Sequence, residues 1–359
     1  MKKVLLSLLI ISLFLPKNIL AFTDSSKASI VMDIDSGRIL YQKNSNKELL
    51  IASTTKIMTF LVAVKYKSQN LFDKVIVGEE VLKMYGTNMY LSLDEELTLI
   101  DLLYGLMLRS GNDASVVIAN YVSKNEDEFV KLMNKTAEEI GMINSSFKNP
   151  HGLDEETKNY STAYDLAVLT RYLYTKYPLY KQIAGCKYYD FKSNQKSYEL
   201  INRSKIIFDY KKTTTAKTGY TPSAGKSLVS TATNDNLNLL IVTLDDGNHY
   251  QNHQNMYEYF FSLYSNYKII DKNNFTISKN IFNFPYYVLN DFTYPLTSLE
   301  KEKIENKIII NEKNNSLGTI KILLNGNLIH EQEIFKQEKV LKKDSFFKKI
   351  LNFIKNIFK

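Results

Sequence analysis

Two hairpin-like stretches bracket a long run of helical spacing, and this bracket constrains the fold more than any other feature. Residues 28–43 (ASIVMDIDSGRILYQK) read as two strands around a turn at Asp35-Ser36-Gly37. Residues 226–245 read as a second strand pair, with KSLVSTAT and LNLLIVTLDD as its arms. Between them Ile57, Met58, Phe60, Leu61 and Val64 recur at helical spacing. Two further helices are expected over Thr98–Leu108 and Ala114–Val122. They flank the break Arg109-Ser110-Gly111-Asn112-Asp113, which is rich in residues that cap and turn. Thr162 with Asp165 resembles a capping box and opens a helix over Ala163–Tyr174. A last helix of this unit is expected over 253–267. From about 269 Asn, Ile, Lys, Phe and Tyr dominate in runs such as NKIIINEK and GTIKILLNG. These predict short strands with Asn/Gly turns and a small β-rich second domain over 269–341. No internal repeat is present.

Charge places the chain further. Of 359 residues, 44% are apolar and 23% charged, which excludes a wholly disordered chain, a collagen and a polytopic membrane protein. The net charge is +8, but residues 1–21 hold three Lys, and residues 342–359 hold six Lys against one Asp. Residues 22–341 are therefore close to neutral. A nucleic-acid binder carries its positive charge on the folded body, so no nucleic-acid partner is expected. The single cysteine, Cys186, cannot form an internal disulfide and excludes Cys-based zinc and iron–sulfur sites. His151, His249, His253 and His330 form no HExxH, and no metal or organic cofactor is expected.

The two ends carry their own patterns. Met1-Lys2-Lys3, an apolar run over Val4–Leu15 and a small residue at Ala21 have the form of a secretory signal over 1–21. The apolar run is too short to span a ~30 Å hydrocarbon layer. In 344–359, Phe346, Phe347, Ile350, Leu351, Phe353, Ile354, Ile357 and Phe358 fall on one face of a helix. Lys348, Lys349, Lys355 and Lys359 fall opposite. Residues 342–359 thus predict an amphipathic helix lying in a membrane interface. The expected location is the outer face of the cytoplasmic membrane or the periplasm.

Three short motifs carry candidate chemistry. Ser53-Thr54-Thr55-Lys56 is an S-x-x-K where strands give way to an apolar helix, and residues three apart share a helix face. Ser110-Gly111-Asn112 is an S-x-N in the tight inter-helix break. Lys217-Thr218-Gly219 precedes the strand-like segment Lys226–Thr233. Each is weak alone: S-x-x-K recurs at Ser145, Ser193, Ser223, Ser298 and Ser345. The ordered trio is that of penicillin-binding proteins and class A β-lactamases.

The chain resembles the low-molecular-mass D-alanyl-D-alanine carboxypeptidases, the penicillin-binding proteins of the DacA type. Ile51–Thr59, Asp101–Leu108 with Ser110–Ala114, Asn149–Leu153, Tyr160–Ala163 and Lys217–Thr221 all match its segments. Ile51 stands where Pro is usual, Arg109 where an uncharged residue is usual, and Thr215-Ala216 replace the usual lead-in to K-T-G. The resemblance implies an α+β fold: a β-lactamase/transpeptidase-like domain over 22–268, an antiparallel sheet covered by helices. The small all-β domain and the amphipathic helix follow it. It also implies a serine peptidase acting on peptidoglycan stem peptides, with β-lactams as covalent inhibitors.

Ser53 would be the nucleophile, activated by Lys56, which acts as a base only when neutral. Burial and a second cation, Lys217, would lower its pKa. Ser110 would relay the proton to the leaving amine, and Asn112 would hold the substrate amide. Lys217 and Thr218 suit the terminal carboxylate, and Gly219 would let substrate backbone approach the strand edge. By the resemblance, the N–H groups of Ser53 and Tyr220 form the oxyanion hole. Three rivals remain open: a D,D-endopeptidase, a β-lactamase with Glu199 as its nearest candidate base, and a non-catalytic envelope-binding protein. His151 is expected to shape a turn.

Overall fold

The computed structural model describes residues 22–277 and 285–337. The signal segment expected over 1–21 and the helix expected over 342–359 lie outside the described residues. The chain divides into two compact units between Ser265 and Asn266.

In the first unit the two expected hairpins become one sheet. Strands β1 (Ala28–Asp33) and β2 (Ile39–Lys43) pair antiparallel, with Val31 opposite Tyr41. Two further strands, β3 (Tyr188–Lys192) and β4 (Ser197–Ile201), form a separate hairpin. Then come β5 (Thr213–Thr221), β6 (Gly225–Asn234) and β7 (Leu237–Leu244). The sheet order is β2-β1-β7-β6-β5, antiparallel throughout, so the first strand of the domain pairs with its last.

Both faces of this sheet are covered, as its alternation requires. Ile30 and Met32 of β1, Val229 of β6 and Leu240, Val242 and Leu244 of β7 enter one core. That core includes helices α1 (Lys56–Lys67), α2 (Leu99–Tyr104), α3 (Asn112–Ser123), α4 (Glu126–Glu139), α5 (Ala163–Lys176) and α6 (Pro178–Ala184). Val31, Leu228, Leu239 and Ile241 point the other way, against Met256, Tyr257 and Phe260 of α7 (His249–Leu263). A fully buried side chain of this kind contributes about 1.5–3 kcal/mol. The two cores hold the domain together without a disulfide, and Cys186 is free.

Several sequence expectations need correction. The last helix ends at Leu263, and residues 265–267 belong to β8 (Ser265–Ile270). Tyr264 leaves the helix in an extended conformation. Helix α3 starts at Asn112, two residues earlier than expected, with Gly111 as its N-cap. The segment after Tyr104 continues as a π-helical turn over Gly105–Arg109 and stops at Ser110, whose φ is +62°. Lys217-Thr218-Gly219 precedes the strand β6, as expected, and itself lies inside a strand that was not expected, β5 at the sheet edge.

The second unit contains β9 (Tyr286–Val288), β10 (Phe292–Leu296), a single helical turn α8 (Ser298–Lys301), β11 (Ile304–Lys313), β12 (Ser316–Leu324) and β13 (Asn327–Lys336). Four strands form an antiparallel sheet in the order β9-β13-β12-β11 over a core of Ile320, Ile322 and Ile334. Its turns use Asn314 and Asn325-Gly326, all at positive φ.

Candidate active site

Ser53 sits in a 3₁₀ turn, Ala52–Thr55, that runs directly into α1. A 3₁₀ turn eclipses residues three apart. Lys56, the first residue of α1, therefore comes under Ser53, with Nζ 3.0 Å from Oγ. The turn begins with strain: Ala52 has φ +46°. Thr54 secures it, donating from its hydroxyl to the Ile51 carbonyl at 2.6 Å.

The segment Asn149–Leu153 packs on this turn. Gly152, at φ +89°, has no room for a side chain: a Cβ there would overlap the carbonyl oxygen of Ala52. The Thr59 hydroxyl donates to the Pro150 carbonyl at 2.5 Å, and Asn159 Nδ2 donates to Thr55 Oγ1 at 3.0 Å. His151 makes the expected turn, its Nδ1 accepting from the Leu153 N–H at 3.1 Å. It does more: its carbonyl accepts from Lys56 Nζ at 2.6 Å.

Lys56 is fully buried. Besides Ser53 it meets two fixed acceptors, the His151 carbonyl and Asn112 Oδ1 at 2.8 Å. A neutral amine has two N–H donors and one lone pair. The two carbonyls take the donors, and the lone pair is left for the proton of Ser53. Burial holds the Lys56 amine well below the usual lysine range. The charge of Lys217 adds to this, and Asp113 opposes both.

A second Ser–Lys pair stands beside the first. Ser110 closes the π-turn in a left-handed conformation, and Lys217 Nζ donates to its Oγ at 2.9 Å. Lys217 also donates to the Thr218 carbonyl at 2.8 Å. It is almost wholly buried, and burial first, then Arg203, pushes its ammonium down to about 7.

Two residues, Asn112 and Gly219, have surroundings that their expected roles did not foresee. Asn112 is buried behind the cleft, its Oδ1 on Lys56 and its Nδ2 donating to the Tyr85 carbonyl at 2.7 Å. Its side chain meets Lys56, and Asn112 is not among the residues that line the cleft. Gly219 is small because the protein's own backbone approaches it: a Cβ would lie 2.9 Å from the Ile51 carbonyl oxygen and 3.2 Å from Ser53 N. Arg109 does not line the cleft; the arginine that does is Arg203.

The cleft has a volume of about 390 Å³. Ser53, Ser110, Thr218, Gly219 and Tyr220 line it, as the motifs suggested. Arg203, Lys226, His249 and Tyr250 line it too and were missed, since no motif marks them. Glu199 is exposed on β4 and lies outside the cleft lining. Among the described residues no cluster of His, Cys, Asp and Glu is arranged to hold a metal.

Comparison with known proteins places the chain among relatives of one family. A family model described as D-alanyl-D-alanine carboxypeptidase matches residues 18–248. The D-alanyl-D-alanine carboxypeptidase DacF of Bacillus subtilis is 32% identical over 338 residues, 88% of this chain and 86% of that protein. DacC of Escherichia coli, a D-alanyl-D-alanine carboxypeptidase, is 34% identical over 61% of this chain and 56% of its own length. The crystal structure of penicillin binding protein 5 from Haemophilus influenzae superimposes with a TM-score of 0.73 at 25% identity, covering 88% of this chain and 97% of that one.

Proposed function

We propose, for a chain that belongs to the D-alanyl-D-alanine carboxypeptidase family, that Ser53, Lys56, Ser110 and Lys217 divide the catalytic work between two Ser–Lys pairs. The chain is a serine-type D-Ala-D-Ala carboxypeptidase of the penicillin-binding class, acting on peptidoglycan stem peptides. Neutral Lys56 takes the Ser53 proton as Oγ attacks the carbonyl of the penultimate D-Ala. The developing oxyanion is held by the backbone N–H groups of Ser53 and Tyr220. Ser110 gives its hydroxyl proton to the leaving amine and takes up in its place the proton that Lys56 received, which leaves Lys56 neutral again. The C–N bond breaks, free D-Ala departs, and an ester joins the stem peptide to Ser53. Water then hydrolyses that ester. Lys217 and Thr218 receive the terminal carboxylate. Asn112 keeps Lys56 in register with Ser53.

The observation that carries these roles is the setting of Lys56: buried, held by two carbonyls and 3.0 Å from Ser53 Oγ. Ser53→Ala is expected to abolish both D-Ala release and the long-lived mass adduct with benzylpenicillin, with an unchanged circular dichroism spectrum. A folded Ser53→Ala protein that releases D-Ala at the parent rate would end this assignment.

The domain plan and location extend the reading. Residues 269–341 act as a small, mainly β second domain that spaces the catalytic unit. Residues 1–21 direct export, and residues 342–359 hold the protein to the outer face of the cytoplasmic membrane by their apolar stripe and Lys face. Among the described residues no helix is long and apolar enough to cross a membrane.

A further inference from the structure

Asn112 holds Lys56, and an irregular loop over 84–92 holds Asn112. The Tyr85 carbonyl accepts from Asn112 Nδ2 at 2.7 Å, and the Thr87 carbonyl accepts from the Asn112 N–H at 2.7 Å. Gly86, between them, has φ +78°, and a Cβ there would lie 3.1 Å from Asn112 Nδ2. The same loop brings Thr87 to the cleft wall. Residues 84–92 belong to no helix or strand. A segment of that kind keeps its shape through specific partners for its backbone groups.

The partner here is Asp113. Its Oδ1 accepts from the Met89 N–H at 3.0 Å, and its Oδ2 accepts from the Leu91 N–H at 3.1 Å. Both amides face one carboxylate because Tyr90, between them, has φ +64°. A left-handed residue turns its neighbouring N–H groups towards one concavity. A tyrosine in that region is strained, and it stays there only where its surroundings over-determine it. Met89 and Leu91 are buried while Tyr90 is exposed. Asn88 closes the link, with Oδ1 accepting from the Asp113 N–H at 3.2 Å and Nδ2 donating to the Met84 carbonyl at 3.2 Å. Asp113 is itself buried, and its third donor is the Ala114 N–H at 2.8 Å, in the first turn of α3. A helix-start carboxylate needs only that last bond; the other two reach back 24 and 22 residues. Burial first and Lys217 second hold the Lys56 amine down, and the charge of Asp113 opposes them.

We propose that Asp113, which lies outside the three motifs, is a positioning residue for the base. It buckles the loop over 84–92 so that Tyr85 and Thr87 fix Asn112, and Asn112 sets Lys56 Nζ against Ser53 Oγ. This rests on the reading of Lys56 as the base for Ser53. Asp113 therefore acts on the reaction twice, by geometry through the loop and by charge on Lys56. The two actions separate experimentally, because glutamate keeps the charge and asparagine does not.

The test follows acylation of the full chain by benzylpenicillin, by intact mass, across a range of pH. The final adduct fraction counts the competent molecules, so the rate refers to folded protein alone. Asp113→Asn is expected to slow acylation about tenfold or more, since a small displacement of a reacting group is costly. Loss of a carboxylate near Lys56 favours the neutral amine, so the acid limb should move to lower pH by about half a unit or more. Asp113→Glu keeps the charge but misplaces the two oxygens, so its rate should fall with the limb unmoved. A purely structural role would lower the adduct fraction or the melting temperature and leave the limb of the asparagine variant where it was; that result overturns the inference. So does an Asp113→Asn rate within about twofold of the parent. Should Asp113→Asn fail to fold, Asp113→Glu decides, and acylation at the parent rate overturns the inference. Lys56→Met is measured alongside. If it acylates at the parent rate, the reading of Lys56 as the base is refuted, a result that neither Asp113 variant can give.

Discussion

At the scale of single residues, the site depends on two lysines kept from their ordinary charge. Lys217 is pushed down to about 7, against a usual 10.5. Between those values the unfolded chain binds a proton that the folded chain does not, so this group destabilises the fold increasingly as pH falls towards 7. Three and a half units correspond to at most about 5 kcal/mol. Lys217→Met removes that penalty. It is expected to stabilise the protein more at pH 7 than at pH 9, by about 2–3 kcal/mol in urea titrations, while severely slowing acylation. The same substitution removes the cation beside Lys56 and so favours protonated Lys56. The acid limb of the β-lactam acylation profile should then move to higher pH. Burial is the larger cause of the Lys56 shift, so the limb should stop well short of the usual lysine value. A limb that stays put or moves down contradicts the coupling between the pairs. The residues of the two pairs were legible because each lies in a short motif. Arg203, Lys226 and His249 were not, because only the folded sheet and α7 bring them to Ser53.

At the scale of elements, the motifs work because three backbone segments touch. The turn Ala52–Thr55 is held between Gly219 of β5 and Gly152 of the loop Asn149–Leu153. Neither glycine could be assigned this task from sequence; Gly219 looked like a place for substrate backbone. Gly152→Ala is expected to cost about 2–4 kcal/mol, since it adds strain at positive φ and displaces the Ala52 carbonyl. It should also slow acylation at least tenfold, because Ser53 moves with Ala52. Gly247→Ala serves as the control: open space surrounds its Cβ position, and it should change stability by no more than about 0.5 kcal/mol. Equal melting temperatures for the two variants would show that the contact is not tight. The hairpins and α1 were readable from period alone. Helix α4 was missed because only Phe129, Met133, Thr136 and Ala137 of its 14 residues are buried, beneath a largely charged surface. Strand β5 was missed because Thr213–Thr221 is polar and Thr-rich, although β-branched threonine favours strands. The π-turn before Ser110 has no sequence period of its own.

At the scale of the whole molecule, charge and chemistry are separated. The body over 22–341 is nearly neutral, and the surplus Lys residues sit in the two end segments. In the proposed reading the cleft's cations serve small anions and the tail's serve a surface. Under the proposed reading, residues 342–359 as a helix would present an apolar stripe beside six Lys, and each Lys near an anionic surface would add roughly 1 kcal/mol of attraction. Apolar burial does not weaken with salt, whereas attraction to lipid headgroups does. The two contributions can therefore be separated in one experiment. The mature protein should sediment with vesicles containing anionic lipid, less so at high salt, and less with purely zwitterionic vesicles. Deleting residues 342–359 should abolish sedimentation in every case while leaving D-Ala release from a soluble peptide within about twofold, because no group of the two Ser–Lys pairs lies in the tail. If the shortened protein still sediments, the membrane contact resides in the body, and the neutral body argues that apolar surface rather than charge would have to provide it. If sedimentation is lost together with activity, the tail contributes to the catalytic unit, and its apolar stripe is a packing face.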